Sequence, residues 1–348
     1  MTKPHSTTHD PDGSGSAGRG AEADVDGLAS PDDDRSNCGV GGVVDLAGDP
    51  SHDTVADAVS LLENLQHRGT TGAEPNTGDG AGIMVERPDG FFEAVVDADL
   101  PDEYAVGSLF MPEDPAAAAA LHEVVAETFA EYGLAVLAWR EVPTDADEAD
   151  LGATALDSEP TVVQVFVAPA DGADLDARFT DPEADDTDAN PHLGFDRALY
   201  VARKAVESAA ADVEGGSRFY VCSLDRRRVV YKGLLKGDQL AAYFPDLRDE
   251  RFASRVALVH ARFSTNTLGA WHLAHPYRNI VHNGEFNTIQ GNINWMRARE
   301  TDVSHPGFGA DLETVKPVID DPNQSDTASV DNALELLLQT GRDLPHAL

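Results

Sequence analysis

The chain has 348 residues, enough for one large domain or two ordinary ones, and its 62 acidic against 25 basic residues give a formal net charge of −37. Phosphate binding needs basic surface, so a nucleic-acid partner is excluded. The absence of an apolar run of about 18 residues excludes a membrane span, and no charged-then-apolar leader predicts secretion.

Residues 1–37 are rich in Gly, Ser, Asp, Thr and Pro with few apolar residues, which predicts a disordered segment. Pattern begins at Cys38. Small and apolar residues alternate over Cys38–Leu46 as in a buried strand, and Val55, Val59, Leu62 and Leu65 fall at helical spacing within Asp53–Gln66. A glycine-rich loop, Asn76–Gly82, leads into a predicted strand at Ile83–Glu86. Glu103–Met111 reads as a strand, and Pro112–Tyr132 as a helix with a proline-led start and an alanine-rich body. Strands are predicted at Leu134–Glu141 and Thr161–Ala168, an acidic loop at Asp171–Asn190 and a long helix at Phe195–Ala211. Ser217–Ser223 and Arg228–Leu234 form a predicted hairpin. Val256–Phe263 is a strong strand and Asn279–His282 a short one, while Gly291–Glu300 and Ser325–Thr340 read as helices. Strands and helices come in blocks. The glycine loop lacks dinucleotide spacing and no P-loop lysine follows it, so an α+β layered architecture is expected.

The acidic residues run through the whole chain, and only five of its basic residues are lysines. At ordinary ionic strength such a surface repels itself; molar salt shortens the screening length to about 3 Å and removes that penalty. The expectation is a cytoplasmic protein from a salt-accumulating halophile, against the alternative of a merely acidic protein with an acidic partner. Two cysteines, Cys38 and Cys222, are too few for a disulfide framework or a cysteine-built metal site and suit a reducing compartment.

Three segments carry chemistry. Cys38 stands at the boundary between unpatterned and patterned sequence, followed by Gly39-Val40-Gly41-Gly42, whose small residues let a substrate approach the backbone. It reads either as a buried structural thiol or as a nucleophile exposed by cleavage before it, whose new α-amine, with a pKa of about 7.7–8.0, is the general base. Arg262, within His260–Thr267, carries a fork that grips a carboxylate with two parallel hydrogen bonds; a surface salt bridge is the plainer alternative. Asn283-Gly284, within His282–Asn287, aims either two donors at one oxygen, as an oxyanion hole does, or makes an ordinary Asn-Gly turn. His67 and Arg68 either shape a pocket or cap the helix before them. Asp79 among its glycines reads as a turn residue. His260, His282, Trp271 and Trp295 are expected in the core or a pocket wall, and Cys222 as a buried small hydrophobe.

Cys-Gly-Val-Gly at 38–41, HRGTTGA at 67–73, NTGDGAG at 76–82, the arginine segment at 260–267, HNGEFN at 282–287, GNINWMRARE at 291–300, SDTAS at 325–329 and the run 331–338 occur in this order. Together they resemble the N-terminal class II amidotransferase domain of the glutamate synthase large subunit, over roughly residues 38–348. The resemblance implies a four-layer αββα fold of the N-terminal-nucleophile hydrolase type. It implies hydrolysis of L-glutamine to glutamate and ammonia, the ammonia going to reductive amination of 2-oxoglutarate in the full enzyme. It also implies a role for each matching residue: Cys38 as nucleophile with its freed α-amine as base, Asn283 and Gly284 as oxyanion hole, Arg262 on the glutamine α-carboxylate and Asp326 on its α-amino group. Residues 1–37 resemble a propeptide. No metal or cofactor is expected in this chain; FMN, an iron–sulfur cluster and the synthase domains are implied for the full-length enzyme. Asp343–Leu348 stops mid-motif, so the chain is expected to be a fragment, a truncated reading frame or a stand-alone subunit. Another class II amidotransferase module, or an inactive unprocessed domain with only an interaction role, are the rival readings. His272 stands where proline is usual in the family and Phe286 where isoleucine is usual.

Overall fold

Alternation of apolar residues builds strands that pair into two four-stranded antiparallel sheets in the computed structural model, which describes residues 38–66, 74–180, 190–263, 269–282, 288–321 and 324–347. The first sheet contains β1 (Gly39–Val44), β2 (Ala81–Glu86), β7 (Arg228–Gly233) and β8 (Val256–Ala261), in the order β1-β8-β2-β7. The second contains β3 (Ala105–Met111), β4 (Leu134–Glu141), β5 (Thr161–Pro169) and β6 (Tyr220–Asp225), in the order β4-β5-β3-β6. The helices are α1 (His52–Asn64), α2 (Asp89–Val95), α3 (Pro115–Glu131), α4 (Ala153–Asp157), α5 (Leu175–Phe179), α6 (Leu193–Ala210), α7 (Leu240–Tyr243), α8 (Ile289–Glu300), α9 (Asp326–Gln339) and α10 (Leu344–Ala347).

The helices start and bury as their sequences dictate. The Ser51 hydroxyl accepts the Thr54 N–H to cap α1, whose Val55, Ala58, Val59 and Leu62 form the buried stripe. Asp114 caps α3 through the Ala117 N–H, Pro115 occupies the first turn, and Ala117, Leu121, Val125 and Phe129 form a stripe spaced by four. Period-2 alternation splits β3 between two cores. Val106 and Phe110 join a cluster with α1 and one face of the first sheet, through Ile83, Val85, Tyr231 and Val259. Ala105, Leu109 and Met111 join α3 and α6 on the opposite side. β5 divides the same way, Val162 and Phe166 to the first cluster and Val163, Val165 and Val167 to the second.

A buried ionic lattice joins α6, α9 and the segment around residue 278. Arg203 pairs with Glu207 at 2.5 Å and with Glu335 at 2.6 Å, and Arg278 reaches Glu335 at 3.1 Å and Asp331 at 3.2 Å. This lattice explains one departure from the sequence reading. Asn279–His282 is not a strand; the Asn279 N–H goes to the Asp331 carboxylate at 2.7 Å instead of to a ladder. The acidic stretch after residue 171 is not wholly loop either. Asp174 caps the short helix α5 through the Ala177 N–H, and Leu175 and Phe179 are buried.

Candidate active site

Strand register brings the first two candidate residues together. Gly39 lies opposite Ala261 in the β1–β8 ladder, so Cys38, one residue before β1, meets Arg262, one residue after β8. The Cys38 Sγ accepts the Phe263 N–H at 3.3 Å and lies 3.4 Å from the Phe263 carbonyl, to which its S–H donates. Partial burial pushes the thiol above its usual range, while the Phe263 N–H and the Arg262 charge pull it down and the Asp79 charge pushes it up. The net effect is upward. At neutral pH the sulfur is a thiol, and an attack by it requires a base.

Arg262 is 6% exposed, so it is not the surface salt bridge that was the plainer reading of it. Its Nη1 donates to the Asp79 carbonyl at 3.2 Å and lies 4.0 Å from the Asp79 carboxylate; its backbone N–H donates to the Gly80 carbonyl at 2.8 Å. The glycine-rich loop makes this approach possible. Gly80 has φ +136°, a conformation that L side chains rarely adopt, and a Cβ there would sit 3.0 Å from the Ala274 Cα. A Cβ on Gly82 would fall 2.4 Å from the His275 carbonyl oxygen. Sequence reasoning took Asp79 for a turn residue and missed its side chain, which is 7% exposed and packed against Arg262.

Behind this pair lies a group of imidazoles. His260 shares a face with Arg262 by the alternation of β8. Its Nε2 donates to the His282 carbonyl at 3.0 Å and its ring stacks on His275 at 4.2 Å and 17°. Burial drives His260 down to about 3 and His275 well below the usual imidazole range, so both are neutral at physiological pH. The Nδ1 atoms of both have no hydrogen-bond partner among the described residues. The His282 Nε2 lies 2.5 Å from the Thr327 hydroxyl at the start of α9. Asp326 is the first residue of that helix, exposed, with Ser325 as the N-cap; its charge raises His282 against the larger downward effect of burial. Among the described residues Asp326 and Arg262 form no ion pair with each other, and the charge of each acts on the imidazoles, Asp326 on His282 and Arg262 on His260. Lys232, which sequence reasoning did not single out, is 1% exposed on β7. It stands across Gly82 from His260, donates to the His272 carbonyl at 3.1 Å and lies 4.8 and 4.7 Å from the Tyr220 and Tyr277 rings. Burial pushes it down to about 8.

Asn283 and Gly284 lie outside the described residues, as do His67, Arg68 and Phe286. Trp271 is buried as expected, with its indole N–H on the Ala155 carbonyl at 3.1 Å. Trp295 is not in a core or pocket wall: it is 71% exposed, because α8 buries only Ile293 and Glu300. Cys222 is buried within β6, and burial pushes its thiol up to about 12, so it is an inert small hydrophobe. Among the described residues no three His, Cys, Asp or Glu side chains are grouped to hold a metal. The chain's two cysteines do not fit the set of about four thiolates that an iron–sulfur cluster takes.

The family description "Glutamine amidotransferases class-II" matches residues 38–348, and the chain belongs to that family. Within it, the chain is 39% identical over 323 residues to the glutamate synthase [NADPH] large chain of Bacillus subtilis, covering 92% of this chain and 20% of that one. It is 37% identical to the chloroplastic ferredoxin-dependent glutamate synthase of Spinacia oleracea, covering 90% of this chain and 18% of that one. It is 39% identical to the glutamate synthase [NADH] of Schizosaccharomyces pombe, covering 94% and 15% respectively. The chain therefore spans a fifth or less of the length of these relatives. Relatives named for NADPH, NADH and ferredoxin match it to nearly the same degree, so this stretch does not sort by electron donor.

Proposed function

We propose that residues 38–348 form the glutaminase domain of a glutamate synthase, hydrolysing L-glutamine to glutamate and ammonia through a Cys38 thioester. The observation that carries the reading is the meeting of Cys38 with Arg262 across the β1–β8 ladder, with the sulfur held at 3.3 Å by the Phe263 N–H. In this reading residues 1–37 are a propeptide. Their removal frees the Cys38 α-amine, which supplies the base that a thiol raised by burial needs. The amine takes the thiol proton, the sulfur attacks the side-chain amide carbon, and Asn283 with Gly284 stabilises the oxyanion. The amine returns the proton to the departing ammonia, and water then cleaves the thioester. Arg262 holds the α-carboxylate and Asp326 the α-amino group, opposite charges for the two ends of one zwitterion. The two sheets, with α1 on one and α3 and α6 on the other, are read as the four-layer αββα sandwich of N-terminal-nucleophile hydrolases.

The ammonia goes to reductive amination of 2-oxoglutarate by synthase domains, to which FMN and an iron–sulfur cluster belong. The acidic, lysine-poor composition supports a cytoplasmic setting in a halophile. The test is ammonia release from glutamine in molar salt, alongside intact-mass measurement. A mature chain beginning at Cys38, active as wild type and inactive but folded as Cys38→Ala, is the expected result. Turnover retained in Cys38→Ala, or an active chain that keeps residues 1–37, would overturn the proposal.

A further inference from the structure

Amide hydrolysis as written above gives Asp79 no task, yet its carboxylate is buried beside the one guanidinium that the reaction needs. We infer that Asp79 is a positioning residue: it orients the Arg262 guanidinium beside Cys38 and so sets where the substrate carboxylate is received. This rests on the glutamine-site reading and deepens it.

The loop that carries Asp79 is held on both sides. The Gly80 carbonyl accepts the Arg262 N–H at 2.8 Å. A Cβ on Gly269 would come 3.3 Å from the Asp79 Cα, and a Cβ on Gly78 would fall 2.3 Å from the Leu235 carbonyl oxygen, so backbone passes close to the loop on each flank. The backbone at Asp79 is closely packed, and the residue offers Arg262 two contacts, its own carbonyl at 3.2 Å and its carboxylate at 4.0 Å. Both contacts are made by Nη1. The hydrogen bond to the carbonyl gives Nη1 its direction and the carboxylate charge at 4.0 Å draws it to the same side, so the planar guanidinium is biased toward one orientation. Long side chains ordered in advance do not lose that freedom on binding.

Asp79 also sets the charge that Cys38 meets. Arg262 favours the thiolate and Asp79 opposes it, the two effects coming from one buried pair. Removing the Asp79 charge therefore has two separate consequences: the Arg262 effect on the sulfur is no longer opposed by Asp79, and Arg262 loses the carboxylate at 4.0 Å.

The experiment is Asp79→Asn, which keeps shape and backbone but not charge, in the protein expressed from the whole sequence and processed to begin at Cys38. Three readouts are taken: the pH profile of Cys38 alkylation by iodoacetamide, located by mass spectrometry; KM and kcat for ammonia release; and the same measurements in an Arg262→Lys background. The alkylation midpoint is expected to move to lower pH. KM is expected to rise about tenfold with kcat little changed, and Asp79→Asn should add nothing to KM once Arg262 is lysine. An unmoved alkylation profile, or KM effects that multiply in the double variant, would overturn the inference. Should Asp79→Asn not fold, Asp79→Ser gives the same readouts from a smaller neutral side chain. If the wild-type protein releases no ammonia, it is the glutamine reading that has failed, while the alkylation profile still reports on the Asp79–Arg262–Cys38 coupling.

Discussion

Acidification from pH 7 to pH 5 should weaken this fold through its buried imidazoles, and His260 gives the magnitude. It is 0% exposed and its folded-state value is driven to about 3 by burial, against an ordinary 6.5. Between those values the unfolded chain binds a proton that the folded chain does not. Stability is therefore present above pH 6.5 and is lost as pH falls toward 3, at about 1.4 kcal/mol per pH unit. From pH 7 to pH 5 this single histidine costs about 2 kcal/mol. His275, also driven down by burial, acts in the same direction. Asp331 acts in the opposite direction, because burial raises its carboxyl. Carboxylates held low by arginine partners, such as Asp249 at about 2, lose their contribution only below about pH 4. The assay is urea unfolding at both pH values in molar salt, which screens the net charge. His260→Asn keeps a donor for the His282 carbonyl but cannot titrate, so its loss between pH 7 and pH 5 should be smaller than that of the wild type by about 2 kcal/mol. Equal losses in the two proteins would refute a buried neutral His260.

Arg262→Lys keeps a charge and removes the fork; with about 1.5–3 kcal/mol for a charge-assisted hydrogen bond, KM for glutamine should rise about 10- to 100-fold, and an unchanged KM in the ammonia assay would remove Arg262 from the carboxylate site. Lys232 is a base depressed from 10.5 to about 8, so stability present above pH 10.5 is lost by pH 8 and the penalty is complete at pH 7, on the order of 3 kcal/mol. Lys232→Met should accordingly melt at a higher temperature than wild type at pH 7, and a lower melting temperature would show that the Tyr220 and Tyr277 rings outweigh desolvation. Dilution from molar salt to about 0.1 M lengthens the screening distance from about 3 to about 10 Å and should lower the melting temperature of a chain with net charge −37. Melting that is indifferent to salt would reject the halophile proposal.

Local chemistry was enough to read much of this protein from its residues. Alternation and i,i+4 stripes place most strands and the helices α1, α3, α6 and α9 to within a few residues, because each is specified by neighbours in the chain. Cys38 and Arg262 stood out as a thiol at the onset of pattern and an arginine at the end of a strong strand, but on those residues alone a structural thiol and a surface salt bridge stayed open, and the roles proposed for them came from the family resemblance. What folding alone decided involves partners remote in sequence. Asp79 and Arg262 are separated by 183 positions, and nothing within Asn76–Gly82 announces that its carboxylate will be buried against a guanidinium. Burial of Lys232, neutralisation of His260 and His275 by desolvation, exposure of Trp295 and conversion of Asn279–His282 from a strand into a segment tied to Asp331 have a common cause. Each depends on which surface another element covers, and side-chain pattern records only that a face is apolar, not what will be packed against it.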